Sequence, residues 1–174
     1  MIRRVDLGPC PAYVFENDGP TAVVCPGAML GGMPAVHWAI DPLFASGWRV
    51  VLLWWEAVDR SVDHWQWVRE RLAAAGGHDL VVGKSLGCYT APAVDTPAVW
   101  LTPNLEDDEL VAAMRGKQQL LVGGTDDPMW NGERARELGE VLELEGADHG
   151  LARIDQAQQV ADAVASFSGA LRRA

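Results

Sequence analysis

Asp79-Leu80-Val81-Val82-Gly83-Lys84-Ser85-Leu86-Gly87 sets an apolar, β-branched run directly against a G-x-S-x-G pentapeptide, and a helix-compatible stretch follows. The pattern predicts a buried strand at 80–82, a sharp turn at the serine and a helix at 86–91. A serine on a tight strand-to-helix turn projects its Oγ above the end of a sheet. Gly83 and Gly87 leave out the side-chain bulk that would stop the backbone closing there. A helix beginning at this turn aims its first N–H groups, and the positive end of its dipole, at an oxygen reacting beside the serine. Gly83-Lys84-Ser85 also matches the close of a phosphate-binding loop. That loop needs a glycine five positions before Gly83, where His78 stands, and Leu80-Val81-Val82 would fill it with strand residues, so nucleotide binding here is disfavoured.

Outward from this segment, short apolar runs alternate with amphipathic stretches. Strands are expected at 12–16, 21–25, 49–54, 80–82, 98–101, 119–122 and 141–145, and helices at 35–45, 62–75, 86–91, 107–114, 133–138 and 156–171, the last capped by Asp155. The rhythm implies an α/β fold: one doubly wound, mostly parallel sheet with helices on both faces, in a single domain over residues 1–174. The turn signal Asn17-Asp18-Gly19-Pro20 predicts a hairpin between the first two strands, and hence an antiparallel edge.

Composition narrows the partners. A net charge of −10 and a pI near 4.7 argue against nucleic acid and anionic membranes, because phosphate is bound mainly by Lys and Arg. Arg3 and Arg4 are followed by Asp6, Gly8 and Pro9 instead of an apolar leader core, and no run reaches the ~20 apolar residues of a membrane span, so a cytoplasmic protein is expected. Cys10, Cys25 and Cys88 are odd in number and carry no zinc-type spacing, which predicts buried free thiols and no bound metal. Lys84 and Lys117 are the only lysines; with abundant Ala, this arginine bias hints at a GC-rich bacterial genome.

Two further segments follow the serine in an informative order. The run 119–122 leads to Gly123-Gly124-Thr125-Asp126-Asp127-Pro128, and 141–145 leads to Gly146-Ala147-Asp148-His149-Gly150. Strand-end Ser, acid and His in this chain order resemble the α/β-hydrolase family, with a nucleophile elbow at Ser85. The resemblance covers 21–171 and implies a serine hydrolase with Ser85 as nucleophile, His149 as general base and Asp127 as orienting acid. Asp126 and Glu106 are the rival acids. His78 precedes its strand, His64 lies in a helix, and His37 follows a loop similar to the family's oxyanion loop, Val24-Cys25-Pro26-Gly27-Ala28-Met29-Leu30-Gly31-Gly32. In that loop Pro26-Gly27 replaces the frequent His-Gly. Ala28, with Met29 as runner-up, would donate one N–H to the oxyanion and Leu86 the other. Met29, Trp54, Trp55 and Trp130 are candidate pocket residues, whereas Trp38, Trp65 and Trp100 are expected to fill the core. Lys84 is assigned no catalytic role, and Cys88 is assigned to packing. Only a short connection follows 98–101, so no cap domain is expected. The implied activity is cleavage of a small carboxylic ester or thioester without a cofactor. A peptidase, a dienelactone-hydrolase type of enzyme and a non-catalytic binding protein or scaffold are the alternatives.

Overall fold

Val23, Val51 and Val81 turn to one face of their strands, while Val24, Leu52 and Val82 turn to the other, and all are buried. Strands apolar on both faces must be covered on both, and that requirement shapes this chain. The computed structural model describes residues 1–28, 33–55, 58 and 61–173. Its elements are β1 (Ile2–Asp6), β2 (Pro11–Phe15), β3 (Thr21–Cys25), α1 (Met33–Ala45), β4 (Arg49–Leu53), α2 (His64–Ala74), β5 (Leu80–Lys84), a 3-10 helix (Ser85–Ala93), β6 (Ala98–Leu101), α3 (Asp108–Met114), β7 (Gln119–Gly124), α4 (Gly132–Leu138), β8 (Glu140–Leu144) and α5 (Ile154–Leu171).

Among the described residues, eight strands form one open sheet in the order β1-β2-β4-β3-β5-β6-β7-β8, parallel from β4 to β8. On one face α1 and α5 pack through Val36, Ile40, Leu43, Val160, Val164 and Phe167. On the other lie α2, the 3-10 helix, α3 and α4, with Leu72, Ala91, Leu110, Met114 and Leu138 around the buried Trp100. From β3 the chain first winds outward to β4, then returns across β3 to β5 and proceeds the other way. The direction of winding therefore reverses between β3 and β5, and a crevice opens above their carboxyl ends.

Three expectations are corrected. The turn at 17–20 does not form a hairpin: β2 pairs antiparallel with β1 and β4, and β4 lies between β2 and β3. Asn17 spends its side chain on the carbonyls of Phe44 and Trp48, at 2.9 and 3.1 Å, so the segment docks onto the α1–β4 connection. The antiparallel edge exists, but it is built by β1 and β2. Asp155 lies in the first turn of α5 and pairs with Arg153, the N-cap residue, which makes no side-chain cap bond. The segment expected as a helix at 86–91 is a 3-10 helix with Pro92 inside; Lys117 Nζ donates to the Ala91 and Val94 carbonyls at its end, at 2.5 and 2.6 Å.

Candidate active site

Ser85 sits where β5 breaks into the 3-10 helix with φ +50°, a left-handed conformation that costs a non-glycine residue energy and is held by its surroundings. Two close approaches hold it. A Cβ on Gly87 would strike the Cys25 carbonyl at the end of β3, and one on Gly83 would meet the Trp100 ring at 2.7 Å. Gly87→Ala is accordingly expected to destabilise the protein by about 3 kcal/mol or more, because backbone cannot yield as a flexible side chain can. Urea unfolding of the variant checks this; a midpoint equal to that of the parent would contradict it.

Asp127 lies in the turn beyond β7, with its side chain 0% exposed. Its Oδ1 accepts the Met129 N–H at 3.0 Å, which fixes the carboxylate plane, while Oδ2 lies 2.8 Å from His149 Nδ1. The other ring nitrogen, Nε2, stands 2.8 Å from Ser85 Oγ. His149 comes from the loop between β8 and α5, so three strand ends converge on one imidazole. With Nδ1 protonated and donating to Asp127, Nε2 is free to take a proton from the serine. Asp126 is exposed, and Glu106, also exposed, accepts from Asn131 Nδ2 at 3.1 Å. His37 is exposed on α1, His64 opens α2, and His78 precedes β5 at the opposite edge of the sheet.

The loop after β3 runs beside the serine: a Cβ on Gly27 would lie 3.7 Å from Ser85 Cβ. Ala28, the next residue, is exposed, while Leu86 is buried at the first turn of the 3-10 helix, where N–H groups have no intrahelical acceptor. Met29 lies outside the described residues. Trp55 braces this loop, its Nε1 donating to the Gly27 carbonyl at 2.7 Å and its ring edge-on to Trp67. Trp54 turns to the opposite face, edge-on to Tyr13. Trp130 lies against Gly123, and its Nε1 donates to Glu143 Oε2 at 2.8 Å, so it buttresses the Asp127 turn from the α3–α4 side.

Lys84 was missed. A lysine beside a turn invites a solvent reading, yet the residue is only 4% exposed, and its Nζ donates to Thr102 Oγ1 at 2.5 Å and to the His149 carbonyl at 2.6 Å. Strand parity was the available signal: Leu80 and Val82 face α1 and α5, so Lys84 does as well, on the side where Ala147 and Leu151 anchor the His149 loop. Burial pulls the ammonium down to about 8, against the partial opposition of Cys88, Asp127 and Asp148. Cys88 is buried, its Sγ donating to the Gly83 carbonyl at 3.4 Å, and burial pushes the thiol up. Cys10, Cys25 and Cys88 are all free thiols in the interior. Among the described residues no three His, Cys, Asp or Glu side chains are grouped to hold a metal ion, and no helix is long and apolar enough to cross a membrane.

No family model and no curated protein matches the sequence. Solved structures do match. The ferulic-acid-bound Est1E of Butyrivibrio proteoclasticus is 13% identical, with a TM-score of 0.77 over 99% of this chain and 100% of that one. A dienelactone hydrolase from Anabaena variabilis is 14% identical, with a TM-score of 0.75 over 98% and 96%. A lidless α/β serine hydrolase from Xanthomonas campestris is 19% identical, with a TM-score of 0.64 over 99% and 94%. At such identities the likeness is one of fold, and it runs the length of the chain.

Proposed function

We propose that this chain, an α/β-hydrolase fold without a cap domain, is a serine hydrolase that cleaves a small carboxylic ester or thioester through an acyl-enzyme on Ser85. The observation that carries this reading is the line from Ser85 Oγ through His149 to the buried Asp127 carboxylate, 2.8 Å at each link. As Oγ attacks the carbonyl carbon, its proton passes to His149 Nε2; Asp127 holds the tautomer and stabilises the imidazolium. The N–H groups of Leu86 and Ala28 receive the oxyanion, and loss of one such donor typically slows a reaction by about 100- to 1,000-fold. His149 returns the proton to the departing alkoxide or thiolate. Water, deprotonated in turn by His149, then attacks the acyl carbon; the C–Oγ bond breaks, the acid leaves, and His149 returns the proton to Ser85 Oγ.

Substrate class is supported by the structural neighbours, which include an esterase bound to ferulic acid and a dienelactone hydrolase. Size is supported by the connection after β6: Leu101 ends the strand and Asp108 begins α3, which leaves no inserted cap to close over Ser85. An open site covers little apolar surface, and at about 25 cal/mol per Å² a long chain gains little from it. Short or small aromatic acyl groups are therefore favoured. A fluorophosphonate probe with peptide mapping, alongside p-nitrophenyl esters from about two to sixteen carbons, tests both parts. Labelling confined to Ser85 and a kcat/KM maximum at short chains are expected. Absence of labelling in active protein would overturn the serine mechanism, and a maximum at the longest chains would overturn the open site.

A further inference from the structure

Several groups hold the loop that carries His149. Thr125 Oγ1 accepts from Gly146 N at 2.8 Å, Ala147 O accepts from Asp126 N at 3.0 Å, and Leu151 O accepts from Trp38 Nε1 at 3.2 Å. Each of these grips a flank of the loop. Lys84 grips His149 itself, at its carbonyl, and Lys84 is the residue covalently before Ser85. Its second bond, to Thr102 Oγ1, ties the same ammonium to the end of β6, where Thr102 takes φ +46°. One side chain thus joins the strand of the nucleophile to the loop of the base, across a gap that the Ser85–His149 contact must also span.

A charge in this position is costly to keep. The ammonium is nearly excluded from water, and a buried cation is tolerated only when paired and hydrogen-bonded. The groups facing it are Cys88 from the 3-10 helix, Asp127 from the turn after β7 and Asp148 from the loop after β8. A Cβ on Gly27, in the loop after β3, would lie 3.7 Å from Lys84 Cγ, and this neighbour brings no charge.

We propose that Lys84 is a positioning residue for His149: its ammonium clamps the histidine carbonyl to the end of β5 and so sets the separation of base and nucleophile. The inference rests on the reading of His149 as base. The Lys84 ammonium donates to Thr102 Oγ1 and to the His149 backbone carbonyl, and so acts on the imidazole through the loop that carries it. A misplacement of the imidazole by about 1 Å is enough to slow proton transfer by about a hundredfold, and that is the slack the clamp removes.

Lys84→Met keeps a chain of similar reach and deletes the charge and donors. With p-nitrophenyl acetate, kcat is expected to fall roughly 10- to 100-fold while KM changes by less than about threefold, because the loss falls on the transition state. Lys84→Arg, which keeps a charged donor, is expected to recover most of the rate. In a His149→Ala background the loss on adding Lys84→Met is expected to shrink to under about threefold, as for a residue that acts through its partner. Lys84→Met with parental kcat, or with the same fractional loss in both backgrounds, would overturn the proposal. If Ser85 labels and turns over in the parent while Lys84→Met changes nothing, the inference alone falls; a parent that neither labels nor turns over sinks the hydrolase reading and the inference together.

Should Lys84→Met not fold, the pH profile of the parent decides. With Lys84 lowered from 10.5 to about 8, kcat is expected to decline as pH rises through that value, since a charged donor makes the stronger bond. Stability moves the opposite way. Between about 8 and 10.5 the unfolded chain binds the extra proton, so this group adds stability as pH rises and its own titration does not unfold the protein; circular dichroism across the same range checks that the fold persists. A rate flat from about pH 7 to 9.5 would overturn the clamp.

Discussion

Ser85→Ala is expected to leave a folded protein that hydrolyses esters roughly a million-fold more slowly than the parent. The size follows from cooperation. A serine without its base, or a base without its serine, leaves only oxyanion stabilisation and binding, so His149→Ala should cost nearly as much and the double variant little more. The fold should survive, because Ala has no more bulk than Ser at φ +50° and the lost hydroxyl is bonded to His149 rather than to the scaffold. Single-turnover kinetics with p-nitrophenyl acetate, together with circular dichroism, check both halves. A folded Ser85→Ala within about tenfold of the parent rate would place the chemistry elsewhere.

Asp127→Asn is expected to slow hydrolysis roughly ten-thousand-fold, while Asp126→Asn changes the rate by less than about threefold. The amide can still accept from Met129 N through its oxygen, so the turn keeps its shape. What changes is the second contact: an amide N–H facing His149 Nδ1 demands the tautomer with its proton on Nε2, which can no longer take one from Ser85. Asp126 has an exposed side chain, and its backbone bond to the Ala147 carbonyl persists in the variant. Comparable, small losses in both would shift attention to Glu106.

What could be read from sequence follows burial. The runs 21–25 and 98–101 are apolar on both faces, and they form strands with those bounds. The edge strand β1, Ile-Arg-Arg-Val-Asp, was not anticipated: four of its five residues are exposed, so no buried face marks it. The expected hairpin failed for a related reason. A turn signal at 17–20 is local, whereas the insertion of β4 between β2 and β3 depends on where α1 returns the chain. At the site, the grouping of Ser85, Asp127 and His149 was legible because each stands just past a strand end among small neighbours. The Trp55 bond to Gly27 and the Lys84 bond to the His149 carbonyl were not legible, because each depends on a partner from a distant segment.

The left-handed turn at Ser85 restricts what evolution can try there. Cysteine is unbranched and could occupy φ +50° much as serine does; threonine, branched at Cβ, pays more for such a φ, a cost this chain meets at Thr102, φ +46°, where surrounding contacts hold it. The choice of side chain at this position is therefore weighted by sterics as well as by reactivity. A lineage departing from serine has a cheaper path to sulfur than to a secondary alcohol.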